Sequence, residues 1–392
     1  MKAIYLDHAA TTAVRPEVFE AMRPVLTERF GNPSSVHRWG RDARVLLETA
    51  REQVAAALGA QRREIVFTSG GTEANNLGVL GSARAAGCAS TRVVVSAIEH
   101  KAVLGAAEQA AREGAELVVL AVDERAVVDL GALEHALKHD RTEYAQRMVC
   151  AVMWGNNEVG TIQPVKEIAD SCRAAGAHFH VDAVQAFGRQ HLRVDEVHCS
   201  TLAISGHKIG AAKGVGAVFV RAGSLPESLT HGGGQERALR PGTENLAGIV
   251  GLAAAAQLAM AELERESARL ERLRDELQNR LCGQIAGVTV NGAGAQRLPH
   301  VLNVSFPGVE QETLLVALDL EGVAVSSGSA CQSGSVEPSH VLSAMGRSKP
   351  SEASIRFSLG RSTSASEIED AGVRVCAVVE RLRKHQVVSA GV

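Results

Sequence analysis

Residues 201–220 read TLAISGHKIGAAKGVGAVFV, and how this stretch divides decides the architecture. Its first five residues, Thr201 to Ser205, form a strand-like run; Gly206-His207-Lys208 follow at its end, and a second glycine-rich turn comes next. A lysine that leaves an apolar strand toward a pocket has its pKa lowered by desolvation, which frees its neutral amine to attack a carbonyl carbon. Lys208 occupies that position, whereas Lys213 reads as a solvated loop residue.

Working outward, the same pattern extends from Ile65 to Val220. The apolar, β-branched runs REIVFT, RVVVS, AELVVLAV, MVCAVM and HFHVD alternate with alanine-rich helical stretches such as TEANNLGVLGSARAA and HKAVLGAAEQAAREG. Such alternation predicts βαβ units and a mainly parallel sheet covered by helices, an α/β fold. Ligands of open parallel sheets bind beyond the carboxyl ends of the strands, so the residues just past each run are the candidates. After Gly248, alanine and leucine and then Glu and Arg recur at helical spacing as far as Leu281, which predicts one long helix leaving the large domain. HVLNVSFP, TLLVALDLEGVAVSS and EASIRFSLG then predict a smaller α+β domain ending in a helix. The expected division is a large domain over 15–257 and a small domain made of 1–14 and 258–392.

Composition narrows the function classes. With 392 residues, 45% of them hydrophobic and 22% charged, the chain has the makeup of a globular protein with room for two domains. A formal net charge of −3 gives no electrostatic case for a nucleic-acid or membrane partner, which leaves small molecules as the favoured substrates. No run of about 18 apolar residues occurs, and MKAIYLDHAATT lacks the basic and apolar regions of a signal peptide, so the expected location is cytoplasmic. Seven cysteines without a C-x-x-C pair indicate neither a disulfide framework nor a zinc site. Six of them sit in helix-like or strand-like surroundings and read as core residues. Cys331 differs, lying within VSSGSACQSGS (325–335), a serine–glycine tract ill-suited to burying a thiol, so it is either a reagent or part of a linker.

Three local patterns point to chemistry. In IVFTSGGTEANN (65–76) a strand meets a glycine turn and a helix start, where free N–H groups and the helix dipole suit a phosphate, although a plain turn capped by Thr72 is the simpler reading of that stretch alone. Neither G-x-x-x-x-G-K-[ST] nor G-x-G-x-x-G is present. In HFHVDAVQAFG (178–188) Asp182 directly follows a strand, and a buried carboxylate there needs a cationic partner such as a protonated heterocyclic nitrogen. With Lys208, these elements meet the needs of pyridoxal 5′-phosphate: its phosphate, its pyridinium nitrogen and its aldehyde.

DHAATT (7–12), NPSSVHRWGR (32–41), TSGGTEANN (68–76), HVDAVQAFG (180–188), SGHKIG (205–210), PGTEN (241–245), SSGSACQSGSVEPSHVL (326–342) and IRFSLG (355–360) together resemble the cysteine desulfurases of the nitrogen-fixation and iron–sulfur-cluster assembly type. These are pyridoxal-phosphate enzymes of the class V aminotransferase fold, and the likeness runs colinearly from Asp7 to about Gly360. It implies fold type I, aspartate aminotransferase-like, with L-cysteine as substrate. It also implies that Lys208 holds the cofactor's aldehyde, Asp182 partners the pyridine nitrogen, Gln185 donates to the phenolic oxygen and His100 stacks on the ring. Gly71, Thr72, Ser205 and His207 fall where the family binds phosphate, and Thr243 matches a residue that reaches the phosphate of the other subunit of a homodimer. Asn157 and Arg356 match substrate-binding positions, where an Arg fork suits a carboxylate.

The resemblance makes Cys331 the thiolate that takes sulfur from L-cysteine as a persulfide, leaving L-alanine, with His100 as a proton acceptor that assists. The small residues around Cys331 would let it deliver that sulfur to an acceptor such as an iron–sulfur scaffold or a tRNA-thiolation protein. Two departures are Gln332, where the family usually has Thr, and Ala212, where a proline commonly precedes the Lys-Gly pair. The same scaffold also serves selenocysteine lyases, cystine lyases and aminotransferases, and a partner-dependent sulfur-delivery scaffold is the reading from outside enzymology.

Overall fold

The computed structural model describes residues 2–138, 147–224, 226–327, 339–348 and 352–389. Its centre is a seven-stranded sheet in the order Ile65–Thr68, Gly216–Val220, Thr201–Ser205, His178–Asp182, Arg147–Ala151, Thr91–Ser96, Glu116–Leu120. Every pairing is parallel except the two made by Gly216–Val220, which runs against both neighbours. Six strands therefore end on the same side. The inner strands are buried almost throughout because helices cover both faces, which is why they read as continuous apolar runs and not as alternating ones. The edge strand Glu116–Leu120 is the exception, with Glu116 and Val119 exposed.

Two sequence expectations change at the level of local structure. The helical stretch after the first glycine turn is not uniform: Gly71–Asn76 is α-helical, Leu77–Gly81 is a π-helical segment, and Ser82–Ala86 returns to α. A wider turn of this kind recurs at functional sites. Of the six cysteines read as core, Cys88, Cys150, Cys172 and Cys199 are buried, Cys376 is half-buried, and Cys282 is exposed. Cys282 follows the buried Leu281 on the long helix and so turns to its outward face, which helix-like surroundings alone do not distinguish.

That helix, Leu246–Gln284, opens with the Asn245 side chain accepting from the Gly248 N–H at 3.0 Å. By length and composition it is apolar enough to cross a bilayer, yet Leu246, Ile249, Leu252 and Ala256 lie in the core of the large sheet. Further along, Leu270, Leu273, Leu277 and Leu281 lie in a second core with the antiparallel strands Thr289–Val290, Val301–Pro307 and Glu352–Ser358 and the helices Gln311–Leu320 and Ala365–Ser389. One rigid element thus enters both cores, and truncating Leu277 to Ala would cost about 2–5 kcal/mol. The N-terminal strand Ile4–Tyr5 pairs in parallel with Val323–Ala324, and the chain then crosses back toward the large sheet.

Candidate active site

The carboxyl ends of the sheet strands border a cavity of about 250 Å³, whose walls include Gly71, Thr72, His100, Asn157, Asp182, Gln185, Ser205, His207 and Lys208. Nine of the residues singled out from sequence therefore meet in one place. Arg356 and Thr243 do not line it, and Cys331 lies outside the described residues, as does Gln332.

Each wall has a local cause. The helix at Gly71 begins after Gly70 with no side-chain cap, so its first N–H groups remain available; Thr72 lies inside the helix and is not the cap. A Cβ on Gly71 would sit 2.8 Å from Val184 Cγ2, so glycine is what lets the turn approach the neighbouring strand end. Ser205 is 3% exposed, and its Oγ has no hydrogen-bond partner. A buried hydroxyl left in that state costs about 1–3 kcal/mol and calls for a ligand atom. His207 faces Thr11 Oγ1 at 3.1 Å, and burial, aided by the charges of Lys208 and Lys213, pushes its pKa down to about 4, so it is neutral.

Opposite stand the charged groups. Asp182 is 6% exposed; its Oδ2 accepts from Asn75 Nδ2 at 2.7 Å and its Oδ1 from the Val184 N–H at 3.0 Å. Lys208 Nζ donates to the carbonyls of Ala9 (2.5 Å) and Ala10 (2.8 Å), and Gln185 Nε2 also donates to Ala9 O at 2.9 Å. The DHAATT segment is therefore a strap across the pocket, a role the sequence alone did not assign. At its start Asp7 pairs with Arg356 at 2.7 Å, and Arg356 donates through its other terminal nitrogen to Asn157 O at 3.0 Å, leaving its buried Nε without a hydrogen bond.

His100 is both a helix cap and a pocket residue. Its Nδ1 accepts from the Ala102 N–H at 3.1 Å, so while the cap holds, the ring proton is on Nε2. Capped, the ring is a donor toward the pocket; accepting a proton at Nε2 requires that nitrogen first to give one up. Glu99, next to it, is fully buried, accepts from Ser96 Oγ (2.5 Å) and the Met153 N–H (2.9 Å), and has its pKa pushed up to about 8 by desolvation. On either side of residues 328–338, Ser326 exchanges backbone hydrogen bonds with Arg356, while Ser339 Oγ donates to Glu158 at 2.5 Å and His340 Nε2 lies 2.9 Å from Glu99 O.

An unpaired buried hydroxyl and an uncapped helix start, a carboxylate and an amine around one cavity fit the phosphate, the pyridinium nitrogen and the aldehyde of pyridoxal phosphate. The family profile of the class-V aminotransferases matches residues 4–370. A cysteine desulfurase IscS of Dictyoglomus turgidum is 44% identical over 385 residues, covering 97% of this chain and 96% of its own. The chain belongs to the class-V aminotransferases, in the cysteine desulfurase group. Enzymes of this family depend on pyridoxal phosphate, and so does this one. Among solved structures, a NifS-like protein superposes with a TM-score of 0.89 at 34% identity over 96% of this chain and 99% of its own. SspA in complex with cysteine gives 0.78 at 32% identity, over 91% of this chain and 98% of its own. Fold type I, with its large parallel sheet and smaller α+β unit, is thus both the observed architecture and that of the family.

Proposed function

We propose that the protein removes the sulfur of L-cysteine, releasing L-alanine and leaving a persulfide on Cys331. The balance needs no outside oxidant: the substrate C–S bond breaks, a Cys331 S–S bond forms, and the thiol proton ends on the alanine carbon. What carries this reading is the meeting of Lys208, Asp182 and the unpaired Ser205 Oγ around one cavity. Bound pyridoxal phosphate supplies the sink for the electrons left when the substrate α-proton departs.

The chain's own groups do the rest. Gly71, Thr72, Ser205 and His207 would hold the phosphate, and Asp182 would hold the ring nitrogen protonated. Lys208, bound to the strap carbonyls, is the amine placed to attach the cofactor and then to carry the substrate α-proton. Asn157 and the free Nε edge of Arg356 are the donors for the substrate carboxylate. His100, with its proton on Nε2, is a proton donor in the pocket wall. Ser326 and Ser339, the described residues on either side of the segment that contains Cys331, are anchored at Arg356 and Glu158.

A homodimer is part of the proposal. Its support is that Thr243 is exposed and outside its own pocket, and that Phe19, Leu26, Phe30 and Trp39 expose apolar surface on the same chain. A cytoplasmic enzyme passing sulfur to an iron–sulfur scaffold or a tRNA-thiolation protein is the setting this chemistry suits. The test is alanine and bound-sulfur production from L-cysteine by wild type, Cys331→Ser and Lys208→Ala. Equimolar alanine and sulfur from wild type alone is the expected result. Undiminished turnover by Cys331→Ser would overturn the persulfide role and make selenocysteine or cystine the next substrate to assay.

A further inference from the structure

From Asn75, in the cavity wall beside Asp182, a line of buried polar groups that the reaction as described does not use runs back through His180 and Thr201, which do not line the cavity. Asn75 Nδ2 faces Asp182 Oδ2 at 2.7 Å, Asn75 Oδ1 faces His180 Nε2 at 2.9 Å, and His180 Nδ1 faces Thr201 Oγ1 at 2.9 Å. Asn75, His180 and Thr201 are at most 1% exposed. The donor roles follow from chemistry. An amide oxygen cannot donate, so His180 carries its proton on Nε2; a neutral ring then accepts at Nδ1, and the Thr201 hydroxyl must donate there. Burial, with the neighbouring His178, pushes the His180 pKa down to about 3, which keeps the ring neutral. Every hydrogen bond in the line therefore donates toward Asp182 and fixes the orientation of its carboxylate.

The backbone is shaped around this line. A Cβ on Gly78 would lie 2.2 Å from His180 Nδ1, so the helix packs directly on the imidazole and only glycine fits. Gly78 belongs to the π-helical segment Leu77–Gly81, which begins two residues after Asn75.

We propose that Asn75 and His180 are positioning residues which hold Asp182 as an oriented carboxylate for the pyridine nitrogen, with Thr201 fixing the ring tautomer of His180. The proposal rests on the pyridoxal-phosphate reading of the cavity. Asn75 and Val184 each take one oxygen of Asp182 and leave lone pairs for the ring N–H. Without Asn75, the buried Oδ2 loses its donor and the carboxylate its fixed orientation, and the cofactor nitrogen is held less firmly in its protonated form.

The experiment titrates apo-protein with pyridoxal phosphate carrying ¹⁵N in the ring, reading the dissociation constant and the ring-nitrogen chemical shift. Variants are Asn75→Leu, Thr201→Val, Thr201→Ser and Asp182→Asn, each checked by circular dichroism. Asn75→Leu should weaken binding about tenfold or more and move the nitrogen signal toward the unprotonated form. Thr201→Val should move both readouts the same way by less, and Thr201→Ser should restore them. In an Asp182→Asn background, Asn75→Leu should add nothing, since its effect passes through Asp182. Folded variants with wild-type affinity and wild-type nitrogen shift would overturn the proposal. Should Asn75→Leu fail to fold, Thr201→Val, which exchanges only a hydroxyl for a methyl, decides the question. A wild-type chain that takes up no pyridoxal phosphate is a different failure, that of the cofactor reading itself.

Discussion

The cofactor wall of the cavity and the Arg356 cluster that adjoins it at Asn157 are built from different material. Asp182, Ser205 and Lys208 stand at the ends of two adjacent strands of one buried sheet, in register through the pairing of Asp182 with Ala203. Arg356, by contrast, comes from the antiparallel strand Glu352–Ser358 of the second core and meets Asp7 of the N-terminal strap and the Asn157 carbonyl of the large-sheet side. The first is fixed by secondary structure. The second exists only when both cores are assembled, and its ion pair is closed by residues 349 positions apart in the chain. The groups proposed to hold the cofactor thus sit on the sheet, and the group proposed to gather the substrate sits where the two cores meet.

This contrast can be broken or sharpened in order of expected effect. Lys208→Ala, at the cofactor end, should lower alanine production from L-cysteine by at least about 10³-fold, because it removes both the attachment point and the proton carrier. Arg356→Lys, in the adjoining cluster, should cost about 10–100-fold in kcat/KM, most of it in KM, since a point charge replaces a fork. A loss confined to kcat would move Arg356 from gathering substrate to shaping the reaction. Ser205→Ala should weaken pyridoxal-phosphate binding about tenfold while leaving the thermal midpoint of the apo-protein unchanged or raised, because the hydroxyl it removes has no partner there.

The smallest effect concerns Glu99, in the wall beside His100. Its folded pKa is about 8, against an ordinary value of 4.5, so the folded chain holds a proton that the unfolded chain has lost. That contribution is complete below about 4.5 and disappears as pH rises through 8. Glu99→Gln should therefore shrink the loss of stability between pH 5 and pH 8 by about 1–3 kcal/mol in urea unfolding. His178 and His180 act in the opposite direction. Their pKa values fall to about 4 and about 3, so stability should drop as pH falls from the ordinary histidine range of 6.5 toward those values.

Much of the cofactor end was legible because its signals are local. A strand-length apolar run, a glycine turn and one unusual polar residue sit within a dozen positions in both HFHVDAVQAFG and TLAISGHKIG. The line behind Asp182 also left a trace: His178, His180 and Asp182 alternate along one strand and so share a face, an odd pattern for a strand buried on both sides. Asn75 lies in a quoted motif, but its partner Asp182 is 107 positions away in the chain, so no local pattern pairs them. The pairing of Asp7 with Arg356 had no local signal at all. His100 shows that two readings of one residue need not compete, since it caps its helix and lines the cavity at once.

The most direct test of the central claim is where the cofactor attaches. Holoprotein reduced with borohydride and digested should carry the pyridoxyl mass on the peptide containing Lys208, and Lys208→Ala should lose it. The same mass on Lys213, or on no lysine of wild type, would contradict the account, for then the strand-end amine that faces Ala9 and Ala10 is not the one the cofactor meets.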